Sequence, residues 1–290
     1  MLKDYLQVQD IQGIQGILNG TTNYILSEME SNNLSFEKAL SQAKELGFAE
    51  TDPTNDIKGF DARYKLVILT YLITGHWLLP EDITLEGIDH LELADFEYAR
   101  RMGREIKLIV NLRLFEQGIQ VYVLPLMIKK DEMLAKISGS TNAITLSGKF
   151  SEDITLIGKG AGSLPTASAI VSDLNKVLRH PEPFPPPPIT SKLLLESIEN
   201  IRFRHTLRFE VRDHPGIFGH IGSIFERHSI NIYALEQLPQ YHRIGKEGEE
   251  IVIFTLTIQD CIEGLVIKAL KEINQAEYML KPVVLLREIV

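Results

Sequence analysis

Apolar residues recur along this chain in two rhythms, and the two mark different elements. Ile11, Ile14, Ile17 and Leu18 belong to a short run that reads as a strand. Residues 22–31 and 35–47 carry them at helical spacing, with stops near Asn32 and at Gly47. Another helix opens at Asp56-Ile-Lys-Gly-Phe-Asp61-Ala-Arg-Tyr-Lys65 and runs through Ile73; beyond Lys65 it is apolar nearly all the way round, which predicts burial on most faces. Residues 106–115 and 119–124 flank Gln117-Gly118, a hairpin signal, and 143–146 and 154–157 fit two more short strands. A helix over 166–178 closes this half, and its start, Ser163-Leu-Pro165-Thr166, puts proline where the missing N–H costs least.

The run His180-Pro-Glu-Pro-Phe-Pro-Pro-Pro-Pro-Ile189 forbids helix and favours an extended spacer. It predicts a division into residues 1–179, a linker over 180–202 and a second domain over 203–290, with a helical stretch at 191–198 finishing the connection. After the linker, strands are expected at 204–211, 230–237, 250–258 and 283–289, and helices at 215–228 and 262–274. That order is βαββαβ, a ferredoxin-like module whose two helices can cover one face of a four-stranded antiparallel sheet. The fold class is therefore α+β.

Composition narrows the chemistry. In 290 residues, 30 Lys and Arg face 39 Asp and Glu, a formal net charge of -9 that repels nucleic acid and anionic membranes on average and points to small-molecule work. The single cysteine, Cys261, has no internal disulfide partner, and Asp260 and Glu263 beside it oppose thiolate formation. No run approaches the roughly 18 apolar residues of a membrane helix, and the opening MLKDYLQVQD has no signal core, so the cytoplasm is the expected compartment.

Three stretches look chemical. Asp61 and Lys65 stand one turn apart on the side that continues into Ile68, Leu69 and Leu72, which fits either a charged pair at the mouth of a cleft or a partly exposed salt bridge. Glu50-Thr-Asp52-Pro-Thr-Asn-Asp56 gathers carboxylates that could hold a metal or an ammonium group, or simply face solvent; no histidine stands nearby to favour a metal. Gly158-Lys-Gly160-Ala-Gly162-Ser-Leu-Pro165-Thr166 follows a strand and opens a helix, so it can bring backbone close to a ligand or form a plain tight turn.

Taken together with Gly16-Ile-Leu-Asn-Gly-Thr-Thr-Asn-Tyr-Ile-Leu26 and Glu45-Leu-Gly-Phe-Ala-Glu-Thr-Asp-Pro-Thr-Asn-Asp56, these stretches resemble the homoserine dehydrogenases, in order and spacing. The second half, with Asp213-His-Pro-Gly216-Ile217 at its first strand-to-helix turn, resembles an ACT domain, a small amino-acid-sensing module. The resemblance implies a mixed sheet with helices on one face, followed by the ferredoxin-like module. It implies NAD(P)-dependent interconversion of L-homoserine and L-aspartate 4-semialdehyde, in threonine, methionine and isoleucine biosynthesis. Lys65 becomes the proton-transfer residue, held by Asp61. Glu50 and Asp56 take the α-ammonium of homoserine, which accounts for the acidic loop without a metal, Gly20 and Thr21 line the substrate pocket, and Gly47, Gly160 and Gly162 face the nicotinamide of NAD or NADP.

The family begins with a nucleotide-binding Rossmann domain, and no G-x-G-x-x-G stands ahead of the Asn-Gly-Thr motif. The expectation is a chain without that domain, and without the family's other active-site lysine and its sodium site, hence inactive alone. Two further readings stay open: a stand-alone amino-acid-binding regulator, and one subunit of a split enzyme whose cofactor domain is a separate chain. For the ACT domain the expected ligand is an amino acid, threonine first, bound at Asp213, Gly216 and Asn231 between the two chains of a homodimer or larger assembly.

Overall fold

The computed structural model describes residues 11–116, 118–149, 152–179, 193–245 and 248–289. The chain forms two compact units, one of residues 1–89, 107–124 and 131–196, the other of residues 90–106, 125–130 and 197–290.

In the first unit β1 (Ile11–Ile17) lies between β5 (Thr141–Gly148) and β3 (Arg104–Phe115), antiparallel to both, and β6 (Ile154–Lys159) pairs with β5. β4 (Gly118–Lys129) lies beyond β3, and two short strands, β2 (Thr84–Leu85) and β7 (Leu194–Leu195), run parallel to it. Gly16 lets β1 nest tightly, since a Cβ there would lie 2.7 Å from the Ala143 carbonyl oxygen. The chain then turns into α1 (Gly20–Asn32), started by Asn19, whose side-chain oxygen accepts the Thr22 N–H at 2.8 Å. Thr21 through Ser27, and Met29, are buried. α2 (Phe36–Glu45) packs on α1 through Ala39 and Ala43, and the one-turn α3 (Thr54–Ile57) leads to α4 (Phe60–Thr74).

Two sequence expectations need correction here. α4 buries Ala62, Leu66, Val67, Thr70 and Thr74 and no other residue, and Ile68 is 49% exposed, so it has one packing face in this unit rather than burial on most faces. The helix expected over 191–198 does not form: Leu194 and Leu195 pair with Gly118 and Ile119 of β4, and a 3-10 turn follows at Ile198–Asn200. Gly118 has no room for a Cβ against the Leu194 carbonyl, so the close backbone approach that makes the strand rests on that glycine. The proline run itself, residues 180–192, lies outside the described residues, as does Gln117 of the hairpin signal. α6 (Ser163–Arg179) forms three residues earlier than expected, and none of its residues is buried among the described residues.

The second unit has the βαββαβ order: β8 (Arg202–Arg212), α7 (Ile217–Arg227), β9 (Ile232–Ile244), β10 (Glu250–Ile262), α8 (Glu263–Ile273) and β11 (Val284–Ile289). Its strands lie in the order β11-β8-β10-β9, all antiparallel. Leu207, Phe209 and Val211 of β8, with Val252, Phe254 and Leu256 of β10, meet Ile221, Ile224 and Phe225 of α7 and Val266 and Ile273 of α8 in one core. The opposite face carries Arg208, Thr255 and Thr257, polar residues that are nonetheless buried. α5 (Leu93–Arg101) accounts for that burial: Asp95 binds Arg208 at 2.7 Å and the Tyr98 hydroxyl meets Thr257. This sheet therefore has helices on both faces, one of them drawn from well ahead of the proline run.

Candidate functional site

The end of β1, the first turn of α1, the loop after α2, and the starts of α4 and α6 converge in the first unit on a cleft of about 750 Å³. Gly20, Thr21, Gly47, Glu50, Asp56, Asp61, Lys65, Gly160 and Gly162 all line it. These are all the residues that the sequence reading assigned to proton transfer, substrate and nicotinamide, brought together from five separate stretches of chain.

Lys65 Nζ donates to Asp61 Oδ2 at 2.7 Å and to the Leu18 carbonyl at 2.9 Å. An ammonium has three donors, so two oxygens fix its direction and a third N–H remains for a ligand. The Lys65 side chain is 43% exposed and that of Asp61 33%, so the pair stands at the mouth of the cleft with one side open. The acidic loop divides by role. Glu50 and Asp56 line the cleft, whereas Asp52 accepts the Thr54 N–H and hydroxyl in the turn ahead of α3, bonds that hold its carboxyl below the usual range.

Sequence reasoning passed over Asn19, Ser140, Asn142 and Lys159. Asn19 Nδ2 donates to Asp56 Oδ1 at 2.6 Å and to Asp61 Oδ2 at 2.9 Å, so one amide orients both carboxylates while its oxygen starts α1. Its position just before Gly20 in a helix-start pattern was a usable signal. Asn142 Nδ2 donates to the Leu18 carbonyl at 3.2 Å, and its buried Oδ1 has no hydrogen-bond partner among the described residues. Nothing local in the sequence marks that residue. A Cβ on Gly160 would collide with the Asn142 amide, so the glycine turn and this side chain form one surface. Gly47 and Gly162 have φ of 75° and 115°, the left-handed region that glycine adopts freely.

The second unit has its own pocket, about 370 Å³, lined by Val211, Asp213, Gly216, Phe218, Glu250 and Phe254 among others. Gly216, φ 97°, starts α7 beside it. The Asp213 N–H donates to the Glu250 carbonyl at 2.7 Å, and the side chains of Asp213, Glu250 and His242 converge to within 4.8 Å. Asn231 is not there. It lies at the Gln259 end of β10, nine residues and on the order of 30 Å of strand from Glu250. The reason is topological: α7 returns the chain, so β9 begins where β8 began rather than where β8 ended. Cys261 stays inert, its thiol pushed up to about 11, mainly by burial, with Glu263 and Asp260 adding to the shift.

The homoserine dehydrogenase family profile matches residues 1–174 and the ACT domain profile residues 205–275. The chain belongs to the homoserine dehydrogenase family. It is 37% identical to the homoserine dehydrogenase of Helicobacter pylori, over 96% of this chain and 65% of that protein, and 33% identical to that of Neisseria gonorrhoeae, over 99% and 66%. The chain thus spans about two thirds of the length of these relatives. Among solved structures, a homoserine dehydrogenase from Thiobacillus denitrificans is similar with a TM-score of 0.85 at 34% identity, covering 99% of this chain and 66% of that one. A hyperthermophilic archaeal homoserine dehydrogenase mutant, solved in complex with NADPH, is similar over 63% of this chain and 51% of that one, with a TM-score of 0.52 and 27% identity.

Proposed function

We propose that this chain carries the homoserine-binding and amino-acid-sensing parts of an NAD(P)-dependent homoserine dehydrogenase, which interconverts L-homoserine and L-aspartate 4-semialdehyde. The observation that carries the reading is the Lys65 ammonium, aimed by Asp61 and the Leu18 carbonyl into a cleft that also holds Glu50 and Asp56. Those two carboxylates match the α-ammonium of an amino-acid substrate, and Asn19 keeps Asp56 turned inward. In the reducing direction Lys65 gives its proton to the aldehyde oxygen as that oxygen becomes the homoserine hydroxyl; in the oxidising direction it receives it back.

The residues present fit a nicotinamide. Gly47, Gly160 and Gly162 line the cleft with backbone rather than side chains, and the orphaned Asn142 Oδ1 is an acceptor suited to a carboxamide N–H. When bound, NAD(P) supplies the hydride chemistry; this chain's share is orientation and the proton. The exposed apolar face of α6, with Leu164 and Leu178 each 81% exposed and Ile170, Val171, Leu174 and Val177 also bare, supports a further folded part packing on this unit, in the same polypeptide or another chain.

For the second unit we propose an amino-acid effector, threonine first. Its carboxylate would meet the N-terminus of α7 at Gly216, and its ammonium Asp213 and Glu250. The exposed Ile232, Tyr233, Leu235 and Ile244 along edge strand β9 support pairing with a second copy. Among the described residues no helix is long and apolar enough to cross a membrane.

The test is reconstitution. Residues 1–290 alone should give no nicotinamide reduction with homoserine, and a homoserine dehydrogenase cofactor domain, mixed in or fused ahead of Ile11, should restore it. Lys65→Ala should then cost ~10² to 10⁴ in rate while Lys130→Ala leaves it unchanged. Equal rates for the two variants would reduce Lys65 to half of a salt bridge, and no restoration would favour a stand-alone regulator.

A further inference from the structure

The buried polar face of the second unit's sheet is the feature that neither the cleft nor the effector pocket explains. The strands that line the pocket do so with Val211 on β8, Val252 and Phe254 on β10, and Gln237 on β9. Side chains alternate along a strand, so Arg208, Thr257 and Glu236 on those same strands point to the other face. There each one is fastened to α5: Arg208 Nε to Asp95 Oδ1 at 2.7 Å, Thr257 to the Tyr98 hydroxyl, Glu236 to Arg101 at 2.7 Å. Asp95 and Arg208 are 1% and 4% exposed, and the Tyr241 hydroxyl adds a bond to Glu97 at 2.6 Å. The Asp95–Arg208 and Tyr98–Thr257 bonds are buried, while the Arg101 and Tyr241 bonds lie nearer solvent. Directional bonds shut away from water, as the first two are, do not slide by small degrees, so the helix moves with the strands or breaks from them.

α5 is joined by two residues, Met102 and Gly103, to β3, and the first-unit part of β3 begins with Lys107. That lysine is 2% exposed, and its Nζ donates to the Ile137 carbonyl at 2.9 Å. The same carbonyl accepts from Asn23 at 3.3 Å, and Asn23 lies in α1, whose first turn supplies Gly20 and Thr21 to the cleft. We propose that α5, latched by the Asp95–Arg208 pair, is the element through which occupancy of the Asp213–Gly216 pocket is felt at the first turn of α1. The proposal rests on reading the second unit as an amino-acid sensor, and makes α5 a positioning element for the cleft rather than a part of it.

Hydrogen exchange by mass spectrometry on the intact chain tests this without cofactor or turnover. Asp95→Asn should speed amide exchange by about tenfold not only in 93–101 but also in 107–110 and 20–26. Tyr98→Phe keeps the ring and the fold and should show the same pattern more weakly. Millimolar threonine should slow exchange at 213–220, 93–101 and 20–26 together in the wild-type chain, and at 213–220 only in Asp95→Asn. Effects of both variants confined to 93–101 and 204–210, or threonine protection that stops at the pocket in the wild type, would overturn the proposal. No protection at 213–220 by threonine, isoleucine, methionine or lysine would remove the sensor reading alone, since the variant comparison still reports whether α5 and α1 open together.

Discussion

Asn19 does three jobs with one amide. It starts α1 through Oδ1 and steadies Asp56 and Asp61 through Nδ2, at 5% exposure. Asn19→Ala should therefore lower stability by about 1 to 2 kcal/mol, the usual cost of a lost N-cap, read as a shifted urea midpoint. It should also weaken homoserine binding by calorimetry, because two carboxylates lose their common anchor. A separate residue effect belongs to Glu263. Burial opposes its ionisation, yet His205 at 2.7 Å and Arg287 at 2.9 Å outweigh that and hold its carboxyl below the ordinary value of 4.5. A folded value lower than the unfolded one means a contribution present above pH 4.5 and lost as pH falls through the folded value. Glu263→Gln should lower the urea midpoint near neutral pH and flatten its decline in acid; an unchanged acid limb would remove the carboxylate from the account.

Elements differ in how their own chain covers them. α7 and α8 bury an apolar stripe against β8 and β10, as their periodicity predicts, and α2 does the same on α1 with two alanines. α6 has equally strong amphipathic spacing and buries nothing among the described residues. Substituting Leu174→Glu with Leu178→Glu should thus change the stability of residues 1–290 by no more than about 0.5 kcal/mol, the range for surface positions. The same pair should abolish rate recovery by an added cofactor domain. Loss of stability without loss of recovery would mean that the bare face is covered from within.

At the scale of the molecule, two pockets of different chemistry lie in different units, one lined by an aimed ammonium and carboxylates, the other at the N-terminus of α7. If the second is a sensor, titrating the intact chain with threonine should give a heat of binding, and Asp213→Asn should remove most of it. Sedimentation of the same samples should report a dimer. No heat with threonine, isoleucine, methionine or lysine on a chain shown to be dimeric would leave the effector reading without support.

What the sequence by itself determined is what depends on neighbours along the chain. The βαββαβ order, the Asn-Gly-Thr turn, the Asp61–Lys65 pair one helical turn apart and the glycine turn at 158–162 are local patterns, and they stand where the spacing put them. The tertiary structure decided what depends on residues far apart. Asn142 meets the Leu18 carbonyl across 124 positions, and Asp95 meets Arg208 across 113, separations over which no periodicity speaks. It also decided direction: Asn231 precedes a strand as its position suggests, but only the return path of α7 says at which end of the sheet that strand begins. Apolar spacing states that a helix face needs cover; whether a strand, another helix or a further folded part supplies it is settled by packing, as α4 and α6 illustrate.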